Sequence, residues 1–339
     1  MKIKIGIRYN LMYPILLTTF TLFRSINSVI MSKKAIFRGS LLLTIIMFFS
    51  EFISGLILYI TQNFRNSKGK KLTFKEINIK RNTLNKEKSS NRNSYRTYML
   101  LLAISFLDFI EYVIATYYLP YYTSIYKTNL NIIEIRLGNI ATIFASFFYH
   151  YLLKFNIYKH QKLSLLIIFL CLAITIISEY IFECIVENFS SKHFFHILFL
   201  IIINYFFQSF IVIIEKYLLE YHKINEYKML MIEGILGFII TSLFSIFEKP
   251  LKGLNYNRFF MLFVFLILYF VLSGGKNIYR ILTIKRYSPM TKIIADSFLD
   301  PLLIIVYYFF RVYFSNYYIF IFSLILSIIM NFFGLVLIF

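Results

Sequence analysis

The sequence predicts an all-α membrane protein whose ten transmembrane helices form two inverted repeats of five. Ten stretches of roughly twenty apolar residues run through the chain, each long enough to cross a hydrocarbon core of about 30 Å as a helix rising about 1.5 Å per residue. Of the 339 residues, 59% are hydrophobic and 15% charged, against roughly 25% charged in soluble domains. Five spans per half is an odd number, so a second half built like the first enters the membrane with the opposite orientation.

The spans fall near 9–31, 37–61, 97–119, 129–153, 162–184, 194–217, 227–247, 256–279, 288–310 and 316–338. The first carries Arg24 and lacks a small-residue cleavage site, so it reads as a retained span and not a signal peptide. The second holds Met47-Phe-Phe-Ser-Glu51, echoed in the seventh by Leu230-Met-Ile-Glu233-Gly; each half thus places one carboxylate in its second span. Asp108 and Glu111 in the third are three apart and share a helix face. Arg136, Gly138 and Asn139 open the fourth. Cys171 and Cys184 in the fifth are thirteen residues, or about 20 Å, apart along a helix, too far for a disulfide. The sixth contains Asn204 and Gln208, the eighth Gly274-Gly275 followed by Lys276-Asn277, and the ninth Asp296 and Asp300 before Pro301. Even spacing argues for one membrane domain over 1–339, with halves at about 9–184 and 194–338.

The only long hydrophilic interruption, Thr61 to Arg96, sets eleven Lys or Arg against two acids, which predicts a disordered cytosolic loop. The same parity puts the amino terminus (Lys2, Lys4, Arg8), Lys154 with Lys159 and Lys162, Lys216 with Lys223 and Lys228, and a turn with Arg280, Lys285 and Arg286 on the cytosolic side. Both termini are expected there. The Asn188-Phe-Ser190 sequon falls on the opposite side, where glycosylation is permitted.

The formal charge of +20 would suggest nucleic acid in a soluble protein, but the basic residues sit beside spans, where orientation explains them. With no Trp in the chain, an interfacial belt must be built from its 28 Tyr. The five His show no metal spacing beyond His193-x-x-His196, and no phosphate loop or nucleophile elbow is present. No cofactor, metal site, enzymatic activity or nucleic-acid partner is expected; lipid and a small-molecule solute are, with the chain a monomer or homodimer.

A charge at mid-span costs at least about 2.5–3.5 kcal/mol, so each needs a partner, water or a function. Glu51 and Glu233 lie where a short acid cannot reach water; either a basic partner such as Arg24 or Arg136, or a solute or proton, must meet them. Arg136 faces the alternatives of an ion pair and a solute-facing gate, and Asp300, before Pro301, those of a kink and a site. Lys276 and Asn277 could donate to an anionic solute, or Lys276 could reach the cytosolic surface.

Taken in order, Ile46-Met-Phe-Phe-Ser-Glu51-Phe, Glu134-Ile-Arg136-Leu-Gly138, Glu215-Lys216-Tyr-Leu leading to Met231-Ile-Glu233-Gly234-Ile-Leu-Gly237-Phe, and Tyr287-Ser288-Pro289-Met-Thr291 with Ala295-Asp296-Ser297 resemble the drug/metabolite transporter superfamily. The nearest likeness is to solute carrier family 35 proteins of the F group and EamA-like transporters, over about residues 9 to 338. The resemblance implies ten helices in inverted halves around a cavity that opens alternately to each side, with Glu51, Arg136, Glu233 and Asp296 as site residues. The implied function is secondary transport of a small polar solute, such as a nucleotide sugar, an amine, an amino acid or a peptide. The alternative is a non-transporting membrane scaffold or receptor. Organellar membranes (Golgi, vacuolar or lysosomal-type) and the plasma membrane all fit the sequence.

Overall fold

The computed structural model describes residues 12–33, 41–69, 91–119, 134–186, 190–246, 256–309 and 317–337. The described residues are helical and contain no strand. Helix α1 spans Met12–Lys33, α2 Leu41–Gly69 and α3 Asn91–Val113, the last continuing as a wide turn through Ile114–Tyr118. Next come α4 (Ile140–Tyr151), α5 (Lys159–Tyr180, widening over Ile181–Val186), α6 (Ser191–Glu220), α7 (Glu226–Ser245) and α8 (Tyr256–Arg286). Helix α9 consists of two segments, Pro289–Ser297 and Leu299–Phe309, and α10 is Tyr317–Val336.

Among the described residues, five stretches are long and apolar enough to cross a membrane: Leu41–Phe64, Lys159–Tyr180, Ser191–Glu220, Glu226–Ser245 and Leu262–Arg286. The burial pattern agrees with lipid as the outer solvent. On α5, Leu163, Leu166, Leu170, Ile174 and Ile177 form one stripe at helical spacing, each 47% to 58% exposed, while Ser164, Thr175 and Glu179 are buried on the other side. A water-soluble helix turns its apolar stripe inward; this one turns it outward. These features mark an integral membrane protein.

Local chemistry sets the helix ends. The Asn225 side chain caps α7 by accepting from Tyr227 N and Lys228 N at 3.0 and 3.2 Å. Ser288 caps α9 through Thr291 N at 3.1 Å, with Pro289 in the first turn where a missing N–H costs nothing. The break in α9 follows from Pro301, which cannot donate to Ser297 O. That carbonyl instead accepts from Asn331 Nδ2 of α10 at 3.0 Å. Ahead of α4, Leu137 N, Gly138 N, Ile140 N and Ala141 N each bond three residues back, so Glu134–Asn139 enters as a tight, irregular turn.

Helices α2 and α3 extend past the expected span ends, so 61–69 and 91–96 are helical where a disordered loop was expected. Gln62 and Thr97 fasten these extensions: Asn225 Nδ2 donates to Gln62 Oε1 at 2.7 Å, and the Thr97 hydroxyl meets His222 Nδ1, also at 2.7 Å. Residues 70–90 of that loop, the amino-terminal basic residues and Asn188 of the sequon lie outside the described residues.

The helices pack in definite pairs. Helix α2 lies along α7 and α8, α1 along α8 and α9, α6 along α4 and α3, α3 along α7, α4 on α9, and α5 on α10. The α2–α7 crossing is the closest because glycine removes the side chains between backbones. A Cβ on Gly55 would stand 2.6 Å from Met231 N, and one on Gly234 would stand 2.7 Å from Phe52 Cα.

Candidate functional site

Helix α8 carries Ser273, Lys276, Asn277, Arg280 and Thr283 at spacings of three and four, so they share one face, and all are buried. At its centre Arg280 gathers carboxylates from four other helices. Its Nη2 donates to Glu51 Oε1 on α2 at 2.7 Å and to Glu233 Oε2 on α7 at 3.4 Å. Its Nη1 lies 3.2 Å from Glu215 Oε1 on α6 and 3.9 Å from Asp108 Oδ2 on α3. The glycine crossing explains how two acids reach one nitrogen: Glu51 precedes Phe52 and Glu233 precedes Gly234, the two residues in backbone contact. All four acids are at most 3% exposed and Arg280 is 5% exposed.

Beside this cluster, between α8, α1, α3 and α9, lies a second polar group. Lys276 interacts electrostatically with Arg24, Asp296, Lys292 and Glu111. Lys292 and Asp296 pair within one turn of α9 at 2.9 Å. Arg24 bonds the Tyr112 side chain and sits 5.9 Å over the Tyr269 ring. The Asn277 amide is 1% exposed with neither its Nδ2 nor its Oδ1 bonded, and Ser273 Oγ one turn away is also unbonded. Buried amides without partners are rare in folded proteins and invite a ligand or water.

A third group surrounds the two interrupted helices. Arg136 pairs with Glu179 of α5, both buried. A Cβ on Gly138 would come within 3.1 Å of Asp300 Cγ, so the irregular turn before α4 packs directly on the start of the second α9 segment. Asn139 Nδ2 reaches Asn331 Oδ1 at 3.5 Å, joining both breaks through the same α10 asparagine.

One end of the bundle is latched. Lys216 of α6 donates to Ile284 O at 2.9 Å and to Lys285 O and Tyr287 O at 3.3 Å, satisfying the last carbonyls of α8. Its ammonium also pairs with Glu220 at 2.8 Å. Lys285 pairs with Glu226, and Gln161 Nε2 donates to Leu337 O at 3.1 Å.

The expected site residues therefore fall into three places. Glu51 and Glu233 meet, but at Arg280 and not at Arg24 or Arg136. Lys276, Asn277 and Asp296 gather in the adjoining group, and Lys276 stays inside. Arg136 stands apart with Glu179. Arg280, expected in a cytosolic turn, is inside α8, which runs to Arg286. Glu179 was not singled out from sequence, and Glu215 appeared there only within a motif and not as a site residue, because each lies near a span end where an acid is unremarkable. Among the described residues no group of three or more His, Cys, Asp or Glu is placed to hold a metal ion. No protein-family model matches the chain, and no curated protein matches its sequence.

Proposed function

We propose that the chain is a ten-span secondary transporter of the drug/metabolite type, with two inverted five-helix halves that rock around a midplane site to move a small polar solute. The observation that carries this reading is a pair of interrupted helices in corresponding places. The irregular turn at 137–139 lies in the fourth span of the first half and the break at Phe298 in the fourth span of the second, and they touch each other. Interrupted helices at matching positions of two halves are the feature that marks transporter binding sites.

Helix pairing supports the repeat. Exchanging α1 with α6, α2 with α7, α3 with α8, α4 with α9 and α5 with α10 turns the α1–α8 contact into α6–α3, and α8–α2 into α3–α7. It turns α4–α6 into α9–α1 and returns α2–α7, α4–α9 and α5–α10 unchanged. The solute site is the group between the halves around Lys276, Asn277, Arg24, Glu111 and Asp296. Cations and acids there face each other across unbonded amide and hydroxyl groups, which suits a solute bearing an anionic group with hydrogen-bonding hydroxyls or an ammonium.

The test is a thermal-shift screen of purified protein against nucleotide sugars, inorganic phosphate and amino acids, since a ligand of the folded state stabilises it by mass action. Uptake of each stabilising compound into proteoliposomes follows, with Asp296→Asn and Arg136→Gln. Asp296→Asn should fold and change uptake. Arg136→Gln, outside this group, is the control; wild-type uptake by well-folded Asp296→Asn would refute the site, and absence of uptake of any stabilising compound would refute transport.

A further inference from the structure

Among the described residues, the charged groups facing the Arg280 cluster can be named, with the Tyr112 hydroxyl of α3 beside them. Glu51 comes from α2, Asp108 and Glu111 from α3, Glu215 from α6, Glu233 from α7, Arg280 and Lys276 from α8, Lys292 and Asp296 from α9, and Arg24 from α1. Lys216 points away, to the end of α8. Asp296 is matched by Lys292 and Glu111 by Arg24, in pairing and in reach respectively. Around Arg280 itself, four carboxylates then face two cations, Arg280 and Lys276. Two negative charges are left over at the centre of a membrane protein, where even one uncompensated charge costs several kcal/mol.

The hydrogen bonds say which acids carry the surplus. Glu51 Oε1 takes the shortest bond from Arg280, and Asp108 lies in the field of Arg280, Lys276 and Lys292. Neither oxygen of Glu215 has a hydrogen-bond partner, although Arg280 Nη1 stands 3.2 Å from its Oε1; Glu233 Oε1 and Asp108 Oδ2 are also unbonded, but three cations act on Asp108 and Arg280 alone on Glu233, and Glu215 and Glu233 are 0% exposed. A metal ion does not suit the remaining space, because the guanidinium occupies the point on which the carboxylates converge.

We infer that the Arg280 cluster is a proton-binding site, with one exchangeable proton on Glu215 and one on Glu233, and that the proton is the coupling ion of the carrier proposed above. Protonated, the cluster is neutral: Glu51 and Asp108 balance Arg280 and Lys276. When α2 and α3 of the first half part from α6, α7 and α8 of the second and water enters, each carboxylic O–H releases its proton to that water, and the carboxylates formed are held by Arg280 and by hydration. The coupling clause rests on the transport reading; the proton site does not.

The experiment separates the two. Reconstituted protein without any solute is stepped through pH while difference infrared spectroscopy reads the C=O stretch of protonated carboxyl groups. A band lost as pH rises is expected, with Glu215→Gln and Glu233→Gln each removing about half of it. If either Gln variant does not fold, Glu215→Asp or Glu233→Asp keeps a carboxyl group and must move the band instead. A band absent from the wild type, or unchanged by all these replacements, overturns the proton site. Coupling is read from the stabilisation given by inorganic phosphate, UDP-glucose and an amino-acid mixture. It should vary with pH in the wild type and lose that dependence in Glu215→Gln/Glu233→Gln. Stabilisation with the same pH dependence in both overturns coupling; no stabilisation by any of the three overturns the transport reading, and coupling with it, while leaving the infrared result standing.

Discussion

Gly234→Ala tests whether the glycine crossing holds the ionic cluster together. The added methyl would lie 2.7 Å from Phe52 Cα and 2.9 Å from the Glu51 carbonyl carbon, where carbon atoms prefer about 3.5 Å or more. Both obstacles are backbone, and the Phe52 nitrogen lies closer still, so no rotamer change relieves them, and α2 and α7 must part by about 0.8 Å or more to restore ordinary contact. That movement stretches the 3.4 Å approach of Arg280 to Glu233 past the limit of an ion pair, with every charged group still present. Overpacking costs about 1–3 kcal/mol and the better helix propensity of Ala returns about 1, leaving a net loss of up to about 2 kcal/mol. Gly334→Ala on α10 is the matched control, because its Cβ would meet only Ile294 side-chain atoms at 3.7 and 3.8 Å; it should gain about 0.5–1 kcal/mol. The chain has no Trp, so unfolding is best followed with a thiol-reactive dye reporting on Cys171 and Cys184, the former buried. Equal stability of Gly234→Ala and wild type, or equal losses in both variants, would refute the close-approach argument.

Arg136→Met and Glu179→Met should each cost about 3–5 kcal/mol by breaking a buried ion pair, while the double variant recovers part of the loss; additive losses in the same dye assay would contradict coupling between the two. Lys216→Met removes the donor to Ile284 O, Lys285 O and Tyr287 O, at a cost of about 1.5–3 kcal/mol for the charged hydrogen bonding. Amide exchange over 280–290 should quicken while α10 is unaffected, and unchanged exchange at that end would count against the latch. A cysteine placed at Ser89, with the native two replaced, should be labelled from the cytosolic face only; labelling from the opposite side would reverse the topology.

What the sequence could reveal depended on whether the signal was local. Apolar runs are local, and five of the predicted spans coincide with described helices long and apolar enough to cross a membrane. The carboxylates of Glu51 and Glu233 were legible as a matched pair because the same short pattern recurs in the second span of each half. Their shared partner was not. Arg280 follows an apolar stretch and precedes Lys285 and Arg286, so counting charges by loop assigns it to the surface; only the continuation of α8 to Arg286 carries it inward. The signal available was the spacing of Ser273, Lys276, Asn277 and Arg280, which makes one polar face of a helix. Glu215 and Glu179 were hidden differently, since an acid near a span end can reach water, and whether it does depends on the neighbouring helix.

The two arginine centres differ in a way that bears on function. Arg136 pairs with the buried Glu179, one cation with one acid. Arg280 is approached by four acids from four helices belonging to both halves of the chain, more than its own charge and that of Lys276 can balance. A pair that only fastens helices gains nothing from surplus carboxylates, because each adds desolvation cost without a matching attraction. A site that must change charge as the halves move needs that surplus, and it must lie where the halves meet. The Arg280 cluster has both properties, as the proposed proton site requires.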